Sequence, residues 1–370
     1  MKNNLKVAFI DTIGFSYDHD VADNYPIGGT QALVAILLYY LSKNSNNIEL
    51  FLYTVGDHNY QKEKINFCGI NKGINHADIF IILNNIQEKN CIFFKEKFPL
   101  SKLIFWSHAN LINENNRNII NSYFDKVVFV SKYSNQKNKK YFSANKMNVI
   151  KNFLTFMPYV FENYSDKTFE DQYDKKIDYA YLGGLTRGFE YLGEIADEIN
   201  KFNLEGKLKV FTGMSLYNPF KKISEEQEHS LILKLRKHPL VNCVKKIAKK
   251  NMYKELLSCK FLISPNTFNE SFCMSVIEAM FYGLTVISTN RSAIPETVQN
   301  FGNLLKLDNA TTDEKFSNFN IVLYMDLLRD VINKKSDFLK IKSQREFVIK
   351  NYSPHQAALN WVGLFEELSN

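Results

Sequence analysis

The stretch FLISPNTFNESFCMSVIEAMFYGLTVIST, residues 261–289, decides the fold. An apolar run at 261–264 precedes a polar loop, an apolar segment at 272–282, Gly283 and a second apolar run at 285–288. Continuous apolar runs of this length are typical of strands buried on both faces of a parallel sheet. A glycine directly after an apolar helical segment is typical of a helix end. The stretch therefore predicts strand, loop, helix and strand.

The same alternation recurs on both sides of this stretch. Further strands are predicted at Leu5–Asp11, Ile48–Val55, Ile79–Leu83, Leu103–Trp106, Val127–Val130, Ile177–Leu182 and Lys207–Thr212. Further helices are predicted at Thr30–Lys43, Phe189–Phe202, Met252–Cys259, Asp313–Lys334 and Pro354–Leu368. Because alternating strands and helices form βαβ units, we predict an α/β fold of two doubly wound, Rossmann-like domains that face each other across a cleft.

A change of composition marks the predicted domain boundary. Residues 152–176 interrupt the alternation with Pro158, scattered aromatic residues and the polar run DKTFEDQYDKK. A chain of 370 residues is long enough for two domains of ordinary size. We predict an N-terminal domain over 1–160, a C-terminal domain over 161–350 and a last helical segment over 351–370.

Composition narrows the classes of function. The net charge of +7 suits phosphorylated substrates or an acidic membrane surface, and no nucleic-acid motif accompanies it, so we expect no nucleic-acid partner. The 5 cysteines form no metal-ligand spacing with the 7 histidines, which predicts reduced thiols and a cytoplasmic location. No D-x-D pair stands at a predicted strand end, so we expect no metal requirement. The longest apolar run, Ala32–Leu41, is half a membrane span, so any membrane contact would be peripheral, at the inner face.

A basic cluster has two interpretations. Lys137, Lys139 and Lys140 lie beside Tyr133 and Tyr141. They form either a solvated helix face or a patch for a membrane or an acidic acceptor.

Two glutamates flank the start of the predicted helix in the first stretch. Glu270 lies in the loop before the helix, and Glu278 lies about two turns inside it. The first-turn amides are unpaired donors that suit a phosphate or sugar hydroxyls. A polar stripe that simply faces solvent is the alternative; its members would be Ser271, Ser275, Glu278 and Tyr282.

The sequence of this segment resembles the donor-binding motif of the retaining GT-B glycosyltransferases, family 4 in particular. The matching residues are Pro265, Glu270, Phe272, Glu278, Ala279 and Met280, followed by Gly283–Thr289 and Ile294–Glu296. The resemblance implies that Glu270 binds the donor sugar and Glu278 the ribose hydroxyls. It also implies that residues at the start of the helix bind the donor, namely Ser271, Phe272, Cys273 and Met274.

The resemblance extends along almost the whole chain. Gly28 and Gly29 stand where the family has a glycine pair near the donor or acceptor, although a tight turn explains them equally well. His108 stands where the family often has a histidine facing the cleft, and a structural role is its alternative. The last helix, with Trp361, resembles the segment that crosses back to the N-terminal domain.

One loop departs from the family pattern. The family has an arginine and then a lysine after the first strand of the C-terminal domain, and these cations hold the diphosphate. Here Gly184 occupies the arginine position, and Arg187 is expected to replace the lysine; a surface cation is the alternative. Lys249 and Lys250 are candidates for the second cation.

The resemblance implies metal-independent transfer of a sugar from a nucleotide-sugar donor, with Glu270, His108 and Arg187 as catalytic residues. We expect no cofactor, and a glycan, lipid-linked or protein acceptor, as in bacterial polysaccharide biosynthesis. Acceptor contacts are expected in loops 12–27 and 56–75. The alternatives are a sugar-nucleotide epimerase, a phosphorylase, or a non-catalytic protein that binds nucleotide sugars or glycans.

Overall fold

The computed structural model describes residues 4–83, 86–174, 177–202, 205–211, 225–244, 247–307, 319–334 and 337–369. The chain divides into two compact units. Unit 1 comprises Met1–His19, Thr30–Thr155 and Tyr352–Asn370, and unit 2 comprises Asp20–Gly29 and Phe156–Asn351.

Within the described residues, unit 1 is built around an 8-stranded sheet. Its strands are β1 (Leu5–Ile10), β2 (Ile48–Thr54), β3 (Asn59–Lys62), β4 (Ile65–Gly69), β5 (Ile79–Leu83), β6 (Lys102–Ser107), β7 (Lys126–Phe129) and β8 (Met147–Val149). The strand order is β3-β4-β2-β1-β5-β6-β7-β8, and only the β3–β4 hairpin is antiparallel among these described strands.

Unit 2 is built around a sheet that has 6 parallel strands in the described part of the chain. They are β9 (Asp178–Tyr181), β10 (Leu208–Phe211), β11 (Val241–Val244), β12 (Cys259–Ile263), β13 (Thr285–Thr289) and β14 (Asn303–Leu305). The order β11-β10-β9-β12-β13-β14 places β9 and β12 side by side at the centre.

Helices connect the strands in both units. They are α1 (His19–Asn24), α2 (Gly29–Asn44), α3 (Glu88–Lys97), α4 (Glu114–Tyr123), α5 (Lys132–Asn138), α6 (Pro158–Asn163), α7 (Asp166–Tyr173), α8 (Leu192–Lys201), α9 (Glu225–Arg236), α10 (Lys249–Leu256), α11 (Met274–Phe281), α12 (Ile294–Val298), α13 (Ile321–Asn333), α14 (Phe338–Asn351) and α15 (Pro354–Ser369). Short 3-10 turns occur at Ile70–Lys72, Ala144–Lys146 and Phe189–Tyr191. Nowhere in the described ranges is there a helix of the length and apolarity that a bilayer crossing requires.

Burial explains why these residues form these elements. All residues of β5 are buried, because both faces of a central parallel strand are covered. Side-chain caps fix several helix starts: Asn113 accepts from the Asn116 amide before α4, and Ser131 accepts from the Ser134 amide before α5. In the last helix, the buried Trp361 ring lies 5.0 Å from that of Trp106, between centroids, so α15 packs within unit 1.

The predicted α/β class and the parallel sheets are confirmed, with corrections to individual elements. Cys259 begins β12 instead of ending a helix, because it pairs with Asp178 of β9. Residues 152–176, predicted as a linker, contain α6 and α7. Hairpin β3–β4, strands β11 and β14, and helices α9, α12 and α14 were not predicted. Thr212 and residues 175–176 and 313–318 of the predicted elements lie outside the described residues.

Candidate functional site

Three loops of unit 2 follow neighbouring strands at one edge of its sheet. Residues 182–188 follow β9, residues 264–273 follow β12, and residues 290–293 follow β13. The three strands are parallel and adjacent, so the loops emerge at their carboxyl ends. This edge is where doubly wound sheets bind ligands.

The loop after β9 is held against the loop after β12. The Tyr181 hydroxyl donates to the Gly184 carbonyl at 2.6 Å and to the Arg187 carbonyl at 3.3 Å. Gly188 has φ +83°, and a Cβ there would lie 1.9 Å from the Pro265 carbonyl oxygen. Only glycine allows this approach, which brings Arg187 next to the glutamate loop.

Arg187 and Glu270 form a close ion pair. The Arg187 Nε donates to Glu270 Oε1 at 2.5 Å, and the guanidinium lies 4.6 Å from the centroid of the Phe268 ring. The Glu270 side chain is 10% exposed and that of Arg187 28% exposed, so a ligand could reach the cation more easily than the carboxylate. Residue Phe268 was not singled out from the sequence.

The backbone around Glu270 is fixed by neighbouring polar side chains. Asn266 Oδ1 accepts from the Phe268 amide at 2.9 Å, which forms a tight turn before Glu270. The Glu270 carbonyl accepts from the Ala293 amide at 3.2 Å, and the Ser292 hydroxyl bonds Asn269 Oδ1 at 3.1 Å. The loop after β13 therefore supports the loop that carries the glutamate.

Helix α11 begins two residues later than predicted, because Cys273 adopts a left-handed backbone with φ +76°. Cys273 makes no side-chain capping bond, so the first turn, with Met274, leaves amide groups for an anion. Burial, together with the charge of Glu270, raises the pKa of the Cys273 thiol to about 12, so it remains a neutral thiol. Buried Phe272 anchors the turn through its carbonyl, which accepts from the Thr297 hydroxyl at 2.5 Å.

Glu278 is buried, so a polar stripe facing solvent is the wrong interpretation of this helix. Glu278 is 3% exposed and Tyr282 is fully buried, while Ser271 and Ser275 are half-buried. The Glu278 carboxylate forms an ion pair with the ammonium of Lys249, the first residue of α10. A buried carboxylate needs such a partner.

The segment that contains the glycine pair belongs to unit 2. Residues 20–29 group with that unit, where Asn24 accepts a hydrogen bond from Lys250 and Asp23 accepts from the Tyr159 hydroxyl at 2.8 Å. Gly28 and Gly29 end this segment and precede the body of α2. Lys250 therefore bonds this segment, whereas Lys249 bonds Glu278.

His108 belongs to unit 1, where it follows β6. Its ring centroid lies 4.8 Å from that of Trp106, and its Nε2 atom is buried with no hydrogen-bond partner among the described residues. Burial lowers the pKa of His108 to about 3, so the imidazole is neutral at physiological pH. A neutral imidazole can bond a ligand hydroxyl, and it carries no charge for a phosphate.

The structure thus groups most of the predicted site residues in unit 2. Those grouped there are Arg187, Glu270, Ser271, Phe272, Cys273, Met274, Glu278, Gly28 and Gly29. Sequence reasoning missed the supporting residues Asn266, Asn269 and Ser292, which lie in the loops after β12 and β13, and Thr297, which lies in α12. Among the described residues, no group of three or more His, Cys, Asp or Glu side chains could hold a metal ion.

Comparison with protein-family models matches part of unit 2 to one family. Residues 165–318 match the model of the family described as "Glycosyl transferases group 1". A comparison with curated protein sequences found no match.

Solved structures with similar folds cover nearly the whole chain. Sucrose-phosphate synthase from Thermosynechococcus elongatus has a TM-score of 0.75 and 14% identity, over 98% of this chain and 99% of that one. Anabaena HepE in complex with UDP and glucose has a TM-score of 0.63 and 13% identity, over 98% and 100%. The catalytic domain of starch synthase IV from Arabidopsis thaliana, bound to ADP and acarbose, has a TM-score of 0.65 and 12% identity, over 100% of both chains.

At these identities the similar structures establish the fold alone, which is that of the GT-B glycosyltransferases. The fold and the family match together define the class of protein, a glycosyltransferase. Within that class, residues 165–318 form a group 1 glycosyl transferase domain, and the resemblance noted in the sequence is confirmed over these residues.

Proposed function

We propose that this glycosyltransferase uses a nucleotide-sugar donor, transfers the sugar with retention of anomeric configuration, and needs no metal ion. One observation carries the proposal: two carboxylate–cation pairs, Arg187–Glu270 and Lys249–Glu278, occur on the unit that holds the group 1 domain. Each pair offers an acceptor for sugar hydroxyls and a cation for phosphate oxygens.

Donor binding would exchange partners within both pairs. Glu270 would accept hydrogen bonds from the transferred sugar, and Glu278 would accept them from the ribose. The released cations, Arg187 and Lys249, would then face the diphosphate. Lys249 therefore replaces the family cation that is missing at Gly184, and Lys250 does not, since it bonds Asn24.

The chemistry needs positive charge near the leaving group. Breaking the bond between the anomeric carbon and the phosphate oxygen leaves positive charge on the sugar ring and negative charge on the diphosphate. Arg187, Lys249 and the first-turn amides of α11 would stabilise the departing diphosphate through fixed donors. These groups would supply the charge that a metal ion supplies in other transferases.

The donor nucleotide is proposed from the printed titles of similar proteins. HepE was solved with UDP and glucose, and starch synthase IV with ADP, so UDP and ADP sugars are the first to test. In unit 1, His108 would bond a hydroxyl of the transferred sugar through its neutral imidazole.

A peripheral contact with an acidic membrane surface is a further part of the proposal. Residues 126–151 contain seven lysines and no acidic residue. Two of these lysines lie over aromatic rings: Lys137 is 5.8 Å from the centroid of Tyr133, and Lys140 is 4.9 Å from that of Tyr141. Such a segment suits a lipid-linked acceptor presented at the inner face of a membrane.

Four variants test the assigned roles. Glu270→Gln should lower kcat about 100-fold or more and leave UDP binding within about twofold, because its contact is to the transferred sugar. Glu278→Gln should weaken both uridine and UDP about tenfold or more, because it removes a charged hydrogen-bond acceptor for the ribose. Lys249→Met should weaken UDP and spare uridine. Lys250→Met, the neighbouring cation, should leave both affinities near wild type.

Titration calorimetry with uridine, UDP and UDP-glucose gives the affinities, and product release from UDP-glucose or ADP-glucose gives kcat. Glu255→Gln is a matched control, because Glu255 is a half-buried carboxylate that pairs with Lys209 at 3.0 Å. Near-wild-type turnover in Glu270→Gln, or equal losses for uridine and UDP in Lys249→Met, would contradict the corresponding role.

A further inference from the structure

Two loops that are distant in the sequence meet in unit 1. Residues 11–18 follow β1, and residues 55–69 contain the β3–β4 hairpin after β2. The Ser16 hydroxyl lies 3.1 Å from the Tyr60 hydroxyl, and the Lys62 ammonium lies 2.8 Å from Asp18 Oδ2. Since β1 and β2 are parallel neighbours, the loops that follow them begin at the carboxyl edge of the sheet.

Buried bonds hold the first loop in place without a ligand. Asp11 is 4% exposed and accepts from the Tyr17 hydroxyl at 2.8 Å and from the Gln31 side chain at 3.0 Å. The Val55 amide donates to the Ile13 carbonyl at 3.1 Å. The loop is therefore attached to its own strand, to α2 and to the hairpin region. Its exposed side chains are held in defined positions before any ligand arrives.

Large aromatic side chains remain exposed on this surface. Phe15 is 38% exposed and Tyr60 38%, and we call these two residues the aromatic platform. Tyr60 stacks on buried Phe67 with 4.9 Å between ring centroids and 11° between ring planes, so one face of its ring is supported. Phe15 is the neighbour of Ser16, which contacts the Tyr60 hydroxyl.

The two loops of this surface carry no excess of positive charge. Residues 11–18 contain Asp11 and Asp18 and no lysine or arginine. Residues 56–69 carry two acidic residues, Asp57 and Glu63, and two lysines, Lys62 and Lys64. Lys62 is paired with Asp18, and Glu63 with Lys43. This surface therefore lacks the excess positive charge of residues 126–151, which would attract phosphate or acidic lipid.

We propose that the aromatic platform binds the acceptor and that this acceptor is a neutral saccharide. A sugar ring has an apolar face of C–H bonds, which packs on an aromatic ring, and hydroxyls at its edge, which need polar partners. This surface supplies both, with the hydroxyls of Ser16 and Tyr60 beside the rings. The inference rests on the proposed function, because it assigns the acceptor of that transfer.

The experiment measures saccharide binding directly, by saturation-transfer NMR on the full chain. The neutral ligands tested are maltotriose, cellotriose and triacetylchitotriose. The charged alternatives tested in the same way are a galacturonic acid trimer and phosphatidylglycerol vesicles. Phe15→Ala and Tyr60→Ala should weaken binding of at least one neutral trisaccharide about tenfold, since each removes one stacking ring. Tyr60→Phe should retain most of the affinity, because it keeps the ring.

Phe93→Ala is the matched control, because Phe93 lies on α3 of the same unit and is 41% exposed. It should bind the trisaccharides like the wild type. The proposal is overturned if no neutral trisaccharide binds the wild type, or if the two alanine variants bind the trisaccharides like the control. It is also overturned if Phe15 and Tyr60 are needed for binding of the acidic trimer or the vesicles and not for binding of the neutral trisaccharides.

Turnover and saccharide binding of the variants together distinguish the acceptor platform from the proposed donor site. Glu270→Gln should keep its trisaccharide affinity while it loses turnover, because Glu270 belongs to unit 2. If Glu270→Gln turned over normally and the platform variants still lost saccharide binding, the donor assignment would fail and the platform would stand. The reverse result would leave the donor site and remove the platform.

Discussion

At the residue scale, Cys273 combines burial with a backbone conformation that suits glycine. Its φ of +76° lies in the left-handed region, where an L-residue costs about 1–2 kcal/mol. The residue is 7% exposed and directly precedes α11. This conformation turns the chain from the Glu270 loop into the helix, so the site contains a local backbone strain.

Glycine and alanine at this position should therefore differ. Both Cys273→Gly and Cys273→Ala remove the sulfur, but only glycine relieves the backbone. We expect Cys273→Gly to be more stable than Cys273→Ala by about 1 kcal/mol, measured as the difference in free energy of unfolding in urea.

Cys259 provides the control pair, because it is a buried cysteine at the start of strand β12. There the order should reverse, with glycine less stable than alanine by about 0.5–1 kcal/mol. If glycine were the less stable variant at both positions, the strain at Cys273 would be too small to matter.

The residues of the donor site differ in how far the sequence predicts them. Glu270 and Glu278 stand in a motif whose spacing and context are visible in one segment. Their partners, Arg187 and Lys249, are 83 and 29 residues away along the chain. Lys249 and Lys250 are adjacent in sequence, and only tertiary contacts show that Lys249 bonds Glu278 while Lys250 bonds Asn24.

At the scale of elements, α14 closes the end of α11. Arg345 donates to the carbonyl of Phe281 at 2.7 Å and to the carbonyl of Tyr164, and its guanidinium lies 4.3 Å from the centroid of the Phe281 ring. Gln344 donates to the carbonyl of Met280 at 3.3 Å and, beyond the helix end, to that of Leu284 at 3.0 Å. The last carbonyls of a helix have no partner within it, so these side chains stabilise the end of the helix that carries Glu278.

Arg345→Met should destabilise unit 2 by about 2–4 kcal/mol, because it removes the charged donor that bonds the carbonyls of Phe281 and Tyr164. Urea unfolding monitored by far-UV circular dichroism measures the change. Arg329→Met serves as the control: Arg329 is 36% exposed, pairs with Asp326 at 2.7 Å and with Glu198 at 3.2 Å, and lies over the exposed Phe202 ring. Since exposed ion pairs contribute little, its loss should cost about 1 kcal/mol or less. Similar losses in both variants would show that the carbonyl bonds of Arg345 contribute little.

The same two residues explain why α14 was not predicted. Gln344 and Arg345 are buried in the middle of the helix, where an amphipathic pattern requires apolar residues. The helical pattern of apolar residues is therefore interrupted in the sequence. The two polar side chains can nevertheless be buried, because carbonyls at the end of α11 accept their hydrogen bonds. By contrast, β5 is a continuous apolar run and was predicted with its observed bounds.

At the scale of the whole molecule, each unit is assembled from separated segments. Residues 352–370 belong to unit 1, and residues 20–29 belong to unit 2. Composition could indicate two domains and a boundary, because the apolar alternation stops after residue 151. It could not assign residues 20–29, since their bonds to Lys250 and Tyr159 link positions more than 130 residues apart.

The segment 352–370 provides a test of unit 1 by itself. Trp361 is fully buried, and its ring centroid lies 5.0 Å from Trp106 and 6.2 Å from Phe9. The chain has 2 tryptophans, and both belong to unit 1, so tryptophan fluorescence reports on that unit. Trp361→Ala removes a large core side chain and should lower the stability of unit 1 by about 3–5 kcal/mol.

In Trp361→Ala, the unfolding transition followed by Trp106 fluorescence should move to a lower urea concentration. The affinity for UDP without urea should stay near wild type, because the proposed donor groups Glu278 and Lys249 belong to unit 2. Leu359→Ala is the control in the same helix; Leu359 is 43% exposed, so the change should stay within about 0.5 kcal/mol. A loss of UDP affinity in Trp361→Ala equal to the loss in Glu278→Gln would contradict the assignment of donor binding to unit 2, since α15 packs within unit 1.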